Sequence, residues 1–301
     1  MKHAFLIMAH SDFSLLSRLL KKLDHINNDI YIHIDAKSAF SPQDLEMLNS
    51  SCQFSNITFI NRQKISWGSY SQINLELRLL EAATKTSHDY YHFLSGNDFL
   101  TKDMYTFHRF FESNNGYEFV NFSSDSFLQS ITDRFSYYHF FRHIYGRNRK
   151  SLFYWLDRIS LFMQKKVLRI DRTKKYPKIQ FKCGANWCSI THNFAKYLLT
   201  QESLIKKMFS YTTCADEVFL QTILFSSSFE NKIYGKHFGI TGSEACLRSI
   251  DWTRPGTLEF SPYVYTANDY DELIASSNLI CRKVTDKTPE GDCLIKKLEC
   301  L

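Results

Sequence analysis

Asp216 and Glu217 stand side by side just before the apolar run VFLQTIL. A carboxylate can take the proton of a hydroxyl and make it a nucleophile. Acids are also common in a first helical turn, where they suit the helix dipole. Asp35 closes the run DIYIHID. At the carboxyl end of a buried strand its oxygens can accept from a base or ribose, or cap the next turn. Arg282 and Lys283 follow NLIC, and Arg248 sits in LRSIDW. Such cations can neutralise a phosphate, although a bare Arg-Lys pair is ordinarily solvated surface. Asn186-Trp187 lies in CGANWCSIT. A Trp can stack on the flat face of a small ring, but in a strand it is more often core.

Metal chemistry has little support in the sequence. The DxD triplet, Asp269-Tyr270-Asp271, follows Thr266, and Thr266-Ala267-Asn268-Asp269 fits a capping box. In a first helical turn the two acids would project about 200° apart, at about 100° per residue. They cannot chelate one ion. No His/Cys group has zinc spacing.

The elements that must position these residues are legible from periodicity. Residues 4–9, 29–35, 57–60, 89–94 and 117–122 read as strands. His10-Ser11-Asp12 reads as a turn capping a helix with the stripe Leu15, Leu16, Leu19, Leu20, Leu23. Trp67-Gly68-Ser69 is a tight turn before a helix whose Ile73, Leu77 and Leu80 share a face. Strands alternating with helices imply a mostly parallel sheet with helices on both faces. In such a fold, ligands sit at the polar turns after the strands, as at Ser95-Gly96-Asn97-Asp98.

With those elements in order, the chain resembles the core-2/I-branching N-acetylglucosaminyltransferases and the related peptide O-xylosyltransferases. The residues that carry the resemblance are SWGSYS, YYHFLSGNDF, the opening AFLIMAHSDF…HIDAKS, CGANW, LRSIDW and NLICRKV. Ser69 stands for the family's second Gly and Leu100 for its usual Pro, while Cys183 and Ala185 depart from Gly and Ser. The resemblance covers roughly 3–125 and 183–287. It implies an α/β fold of GT-A type in one domain over 1–301. Residues 1–125 would be the nucleotide-binding half, 126–182 a basic aromatic insertion, and 183–301 the donor, acceptor and catalytic half. It implies an inverting transferase that takes a sugar, most commonly N-acetylglucosamine, from a UDP-sugar to a glycan hydroxyl. No cofactor or metal is obligatory, because basic side chains replace the metal's charge. Glu217 then matches the catalytic base, or Asp216 if the alignment slips by one. Asp35, Ser66, Trp67, Asn186 and Trp187 fall among the nucleotide- and sugar-contacting positions, and Arg248, Arg282 and Lys283 around the diphosphate.

Composition bounds the rest. The chain is 44% apolar, with 26 Phe and 17 Tyr but only 10 Gly and 5 Pro, which argues against linkers and disorder. The eight Cys include no CxxC pair and read as free thiols. No signal peptide or membrane span is visible, so the expectation is a bacterial cytoplasmic member acting in surface-polysaccharide assembly on an acceptor that can be lipid-linked. Residues 142–182 carry 13 Lys plus Arg against Asp157 and Asp171, interleaved with aromatics. A helix through 151–168 would be amphipathic with a basic face. It fits peripheral contact with an anionic membrane or a solvated helix packed on the domain. Nucleic acid is not expected, since no nucleic-acid motif accompanies the charge. Two other classes fit less well. A glycoside hydrolase needs opposed carboxylates, and a carbohydrate- or membrane-binding module would use no catalytic residues.

Overall fold

The computed structural model describes residues 1–256 and 261–301. Strands β1 (His3–Ala9), β2 (Asn28–Ile34), β3 (Asn56–Phe59) and β4 (Tyr90–Ser95) pair in parallel, and β6 (Ser189–Thr191) adds antiparallel to β4. The resulting sheet has the order β3-β2-β1-β4-β6. A second sheet, β5-β8-β7, joins β5 (Asp98–Leu100), β7 (Arg248–Ile250) and β8 (Ile280–Arg282). The architecture is mixed α/β, with a mostly parallel central sheet flanked by helices on both faces.

The central strands β1, β2 and β4 are buried on both sides, as a covered parallel sheet requires, whereas the edge strand β3 is half-exposed. Alternate residues of β1 go to different cores: Ala4 and Leu6 pack with Ile73, Leu77 and Leu80 of the Tyr70–Ala83 helix, whereas Phe5 and Ile7 pack with Leu15, Leu16, Leu19 and Leu20 of the Phe13–Leu23 helix. Ser69 caps the Tyr70–Ala83 helix by accepting from Ser71 N. That hydrogen bond needs the hydroxyl, which gives Ser69 a use that glycine could not supply.

Three expectations are corrected. Residues 117–122 form no strand among the described residues. They make isolated bridges only, Glu118 with Ile233 and Phe119 with Ser189. The apolar run reflects the adjacent buried Phe119 and Val120, while Glu118 turns inward to accept from Thr191 N at 2.8 Å. Asp12 does not cap the next helix. It adopts a left-handed conformation (φ 58°), and its carboxylate pairs with Lys287. Finally, within residues 183–191 strand structure is confined to Ser189–Thr191, so the CGANW segment runs as irregular backbone.

Candidate active site

The segment 184–187 is the spine of the site. At one end Gly184 N donates to the Glu217 carbonyl at 2.9 Å. In the middle Asn186 Nδ2 lies 3.5 Å from Glu76 Oε1. At the other end the Trp187 ring lies under the Arg282 guanidinium, 4.2 Å from the centroid. One short stretch therefore touches both the carboxylate end and the cation end of the site. Gly184 is required sterically, since a Cβ there would fall 2.0 Å from the Asn121 carbonyl oxygen. Gly184→Ala is accordingly expected to destabilise the fold by about 1–3 kcal/mol through overpacking and to shift Glu217. A melting curve beside a kcat measurement would check both, and an unchanged Tm would refute the packing argument.

Glu217 ends a 3-10 turn, Ala215–Glu217, entered through Cys214 at φ 49°. Its side chain is 40% exposed, and Oε2 accepts from Arg134 Nη1 at 2.7 Å. Asp216 is the reverse case. It is buried, and Oδ2 accepts from Gln72 Nε2 at 3.0 Å. Burial, aided by the neighbouring Glu217 charge, pushes the Asp216 carboxyl up to about 7. Fully buried Glu76 is likewise held well above the usual carboxylate range, by burial first and by Asp216 second. Of the two adjacent acids, only Glu217 is open to a ligand.

The Trp67 turn is tied to the Glu217 turn. Gly68 (φ 71°) accepts from Cys214 N at 2.8 Å through its carbonyl, and its N–H donates to the same Gln72 that holds Asp216. A Cβ on Gly68 would meet the Arg142 guanidinium at 2.5 Å, so this glycine lets the arginine approach. Arg142 and Arg147 both sit against the Trp67 ring, 4.8 and 4.5 Å from its centroid. Ser66 Oγ donates to the His143 carbonyl at 2.7 Å. Ser66 and Trp67 thus hold the basic segment onto the sheet's ligand edge.

The cations divide unexpectedly. Arg248 is fully buried: its Nη1 donates to Ser189 Oγ at 3.0 Å and to the Cys246 carbonyl, and its Nη2 to the Cys188 carbonyl at 3.0 Å. Its expected place at the diphosphate is therefore corrected, because the guanidinium is sealed inside, joining β4, β6 and β7. Arg282 is partly committed as well. It pairs at 2.7 Å with Asp98, which is itself wholly buried and accepts from Ser95 N and Oγ. The LSGND motif is thus the socket for Arg282. Among the described residues Lys283 forms no ion pair, and its ammonium is pushed down by burial and then by the nearby Arg282 and Arg147 cations. Three positive groups converge there, the adjacent pair Arg282-Lys283 and Arg147 from a distant segment.

At the ends of β1 and β2, His10 is lowered by burial but lies in the combined field of Asp35, Asp12, Lys283 and Arg147. That places Asp35 beside the cation cluster. Asp35 Oδ1 accepts from Lys37 N at 2.9 Å, so the turn-capping reading holds; Oδ2 lies 3.6 Å from the exposed Lys37 ammonium. Of the DxD acids, Asp269 is committed elsewhere and Asp271 is exposed. Thr266 and Asp269 form a capping box, and Asp269 Oδ1 pairs with Arg254 at 2.5 Å. A cavity of about 370 Å³ lined in part by Ser69, Asn74, Arg142 and Lys206 contains neither Glu217 nor Lys283.

Sequence reasoning missed Arg134, Arg142 and Arg147. Only the charge excess of 142–182 pointed toward the last two. Arg134 gave no signal, because its partner Glu217 is 83 positions away.

The comparisons with known proteins give the family. The family model of the Core-2/I-Branching enzyme matches residues 3–274. The chain is similar to xylosyltransferase 2 of Canis lupus familiaris and of Bos taurus, at 21% identity over 277 residues in each case. Those matches take in 86% of this chain but 29% of each relative, so the chain spans well under half of their length. Among solved structures, apo mouse xyloside xylosyltransferase 1 aligns over 95% of this chain and 99% of its own, with 8% identity and a TM-score of 0.38, too loose to argue from. The family match spans both the Trp67–Asp98 unit and the Glu217 turn, and on it the chain belongs to the Core-2/I-branching enzyme family of glycosyltransferases.

Proposed function

We propose that this chain is an inverting, metal-independent glycosyltransferase that moves a sugar from a UDP-sugar to a hydroxyl of a glycan acceptor. The observation that carries the reading is the separation of two charges along one short segment. Half-open Glu217 lies at the Gly184 end, and the Arg282, Lys283 and Arg147 cluster lies at the Trp187 end. In this mechanism Glu217 accepts the proton of the acceptor hydroxyl. The oxygen bonds to the anomeric carbon as the bond from that carbon to the diphosphate oxygen breaks on the opposite face. The departing diphosphate takes the electron pair, and Lys283 and Arg147 offset its charge, as preorganised cations do in a low-dielectric cleft. In this reading Asp35, near the same cluster, accepts from the uridine.

UDP-N-acetylglucosamine is the donor this reading favours. UDP-xylose is the second reading, supported by the relatives being xylosyltransferases. A panel of UDP-sugars, scored by slow release of UDP in EDTA, tests both. One donor is expected to stand out, and release should persist without metal. UDP at about 100 times its Kd should add roughly 2.7 kcal/mol of stability. A chain that neither releases UDP nor is stabilised by it is no UDP-sugar enzyme. Loss in EDTA restored by manganese would overturn metal independence.

A further inference from the structure

The helix Leu152–Phe162, continued by a π turn over Met163–Val167, is built inside out. The side chains it turns inward are mostly polar. Asp157 accepts from Tyr145 Oη and Phe141 N, both at 3.2 Å, and lies 3.2 Å from His139 Nδ1. Gln164 accepts from Tyr138 N at 2.7 Å and donates to the Tyr138 carbonyl at 2.8 Å. Leu161 is the large aliphatic residue buried with them. Outward go Leu152 (69% exposed), Trp155 (59%), Ile159 (60%) and Phe162 (60%), with Leu156 and Met163 beside them. At about 100° per residue these six fall within an arc of roughly 120°. A helix packed on its domain by an apolar stripe shows the opposite arrangement.

The charges are equally one-sided. Lys150, Arg158, Lys166 and Arg169 are exposed around the stripe. The segment's two acids are both occupied: Asp157 is buried, and Asp171 caps Thr173. The exposed charge of this element is therefore positive throughout, beside a contiguous apolar face that includes a Trp. We propose that this face docks in the plane of an anionic lipid bilayer, with the six apolar side chains among the acyl chains and the basic residues at the headgroups. A convex apolar ridge is the wrong shape for a small ligand, which needs a concavity. A second copy is disfavoured because it would set one basic segment against another. An interfacial amphipathic helix has this composition: apolar and aromatic on one side, Lys and Arg along the flanks.

The test uses the full chain without nucleotide or acceptor, so it stands or falls separately from glycosyl transfer. Flotation is measured with phosphatidylcholine vesicles and with vesicles containing about a third phosphatidylglycerol, which supply the anionic surface. Partition into the anionic vesicles is expected to be at least about tenfold stronger. Brominated acyl chains should quench tryptophan emission, and Trp155→Phe should lose that quenching. Ile159→Ser combined with Phe162→Ser should lower partition about tenfold or more, with unchanged Tm and unchanged stabilisation by UDP. Arg158→Glu with Lys166→Glu should lower binding to the anionic vesicles and leave the weak binding to neutral ones. Equal failure to bind either vesicle would overturn the proposal. So would wild-type partition by the double-serine variant, or a solution dimer that this variant converts to monomer.

Discussion

Replacing Glu217 by Gln is expected to lower kcat by about 10²–10⁴-fold, the usual contribution of a general base, while UDP binds as before. The substitution keeps the side chain's size, and the amide oxygen can still accept from Arg134, which now donates to Oε2 at 2.7 Å. What disappears is the capacity to take a proton. A variant retaining more than about a tenth of wild-type kcat would remove Glu217 from the mechanism. Asp216→Asn is the control, since Asp216 is sealed against Gln72 and cannot touch an acceptor. It should lose far less activity, and its pH behaviour should differ. The Asp216 carboxyl is raised to about 7, by burial first and the Glu217 charge second. A folded-state value above the unfolded one means that its contribution to stability is full at low pH and is lost as pH rises through about 7. Asp216→Asn should therefore lie above wild type in a plot of unfolding free energy against pH on the alkaline side, and converge with it in acid.

The second large effect separates two adjacent residues that the sequence treats as a pair. Lys283→Ala should weaken UDP binding roughly tenfold or more, because a charge-assisted hydrogen bond contributes about 1.5–3 kcal/mol, and should barely alter uridine binding. Arg282→Ala should do something different. It leaves Asp98, wholly buried, without the cation that now lies 2.7 Å away, a loss that typically costs about 3–5 kcal/mol. Its main signature is a lowered Tm. Calorimetry with UDP and uridine, together with melting curves of both variants, decides the matter. Equal losses of UDP and uridine in Lys283→Ala would make Lys283 a structural residue. An Arg282→Ala protein that melts like wild type yet loses UDP would make Arg282 a phosphate ligand and its pairing with Asp98 incidental.

The pattern of legibility follows from the range of the interactions. β1, β2 and β4 with their helices were readable because burial imposes local periodicity on each. The 117–122 run failed because an aromatic and apolar run reports burial and cannot report a ladder; Glu118 and Phe119 bridge partners on opposite sides without forming one. Arg248 was misplaced for a related reason. A motif fixes a residue's position in the chain but not the direction of its side chain, and this guanidinium points at backbone carbonyls inside. The chemistry of Asp269 was legible because a capping box is complete within four residues. Arg134, Arg142 and Arg147 were not, since each acts on a turn brought to it only by the finished fold.

Arg147, which lies against Trp67, is five residues from the start of the outward-apolar helix at Leu152, so the two sites share a short mechanical connection. Linkage then imposes a symmetry. If phosphate draws Arg147 off the Trp67 ring and the helix moves with it, the factor by which donor alters the helix's hold on a surface equals the factor by which that surface alters the hold on donor. Loaded and empty forms would then differ in residence time at the surface.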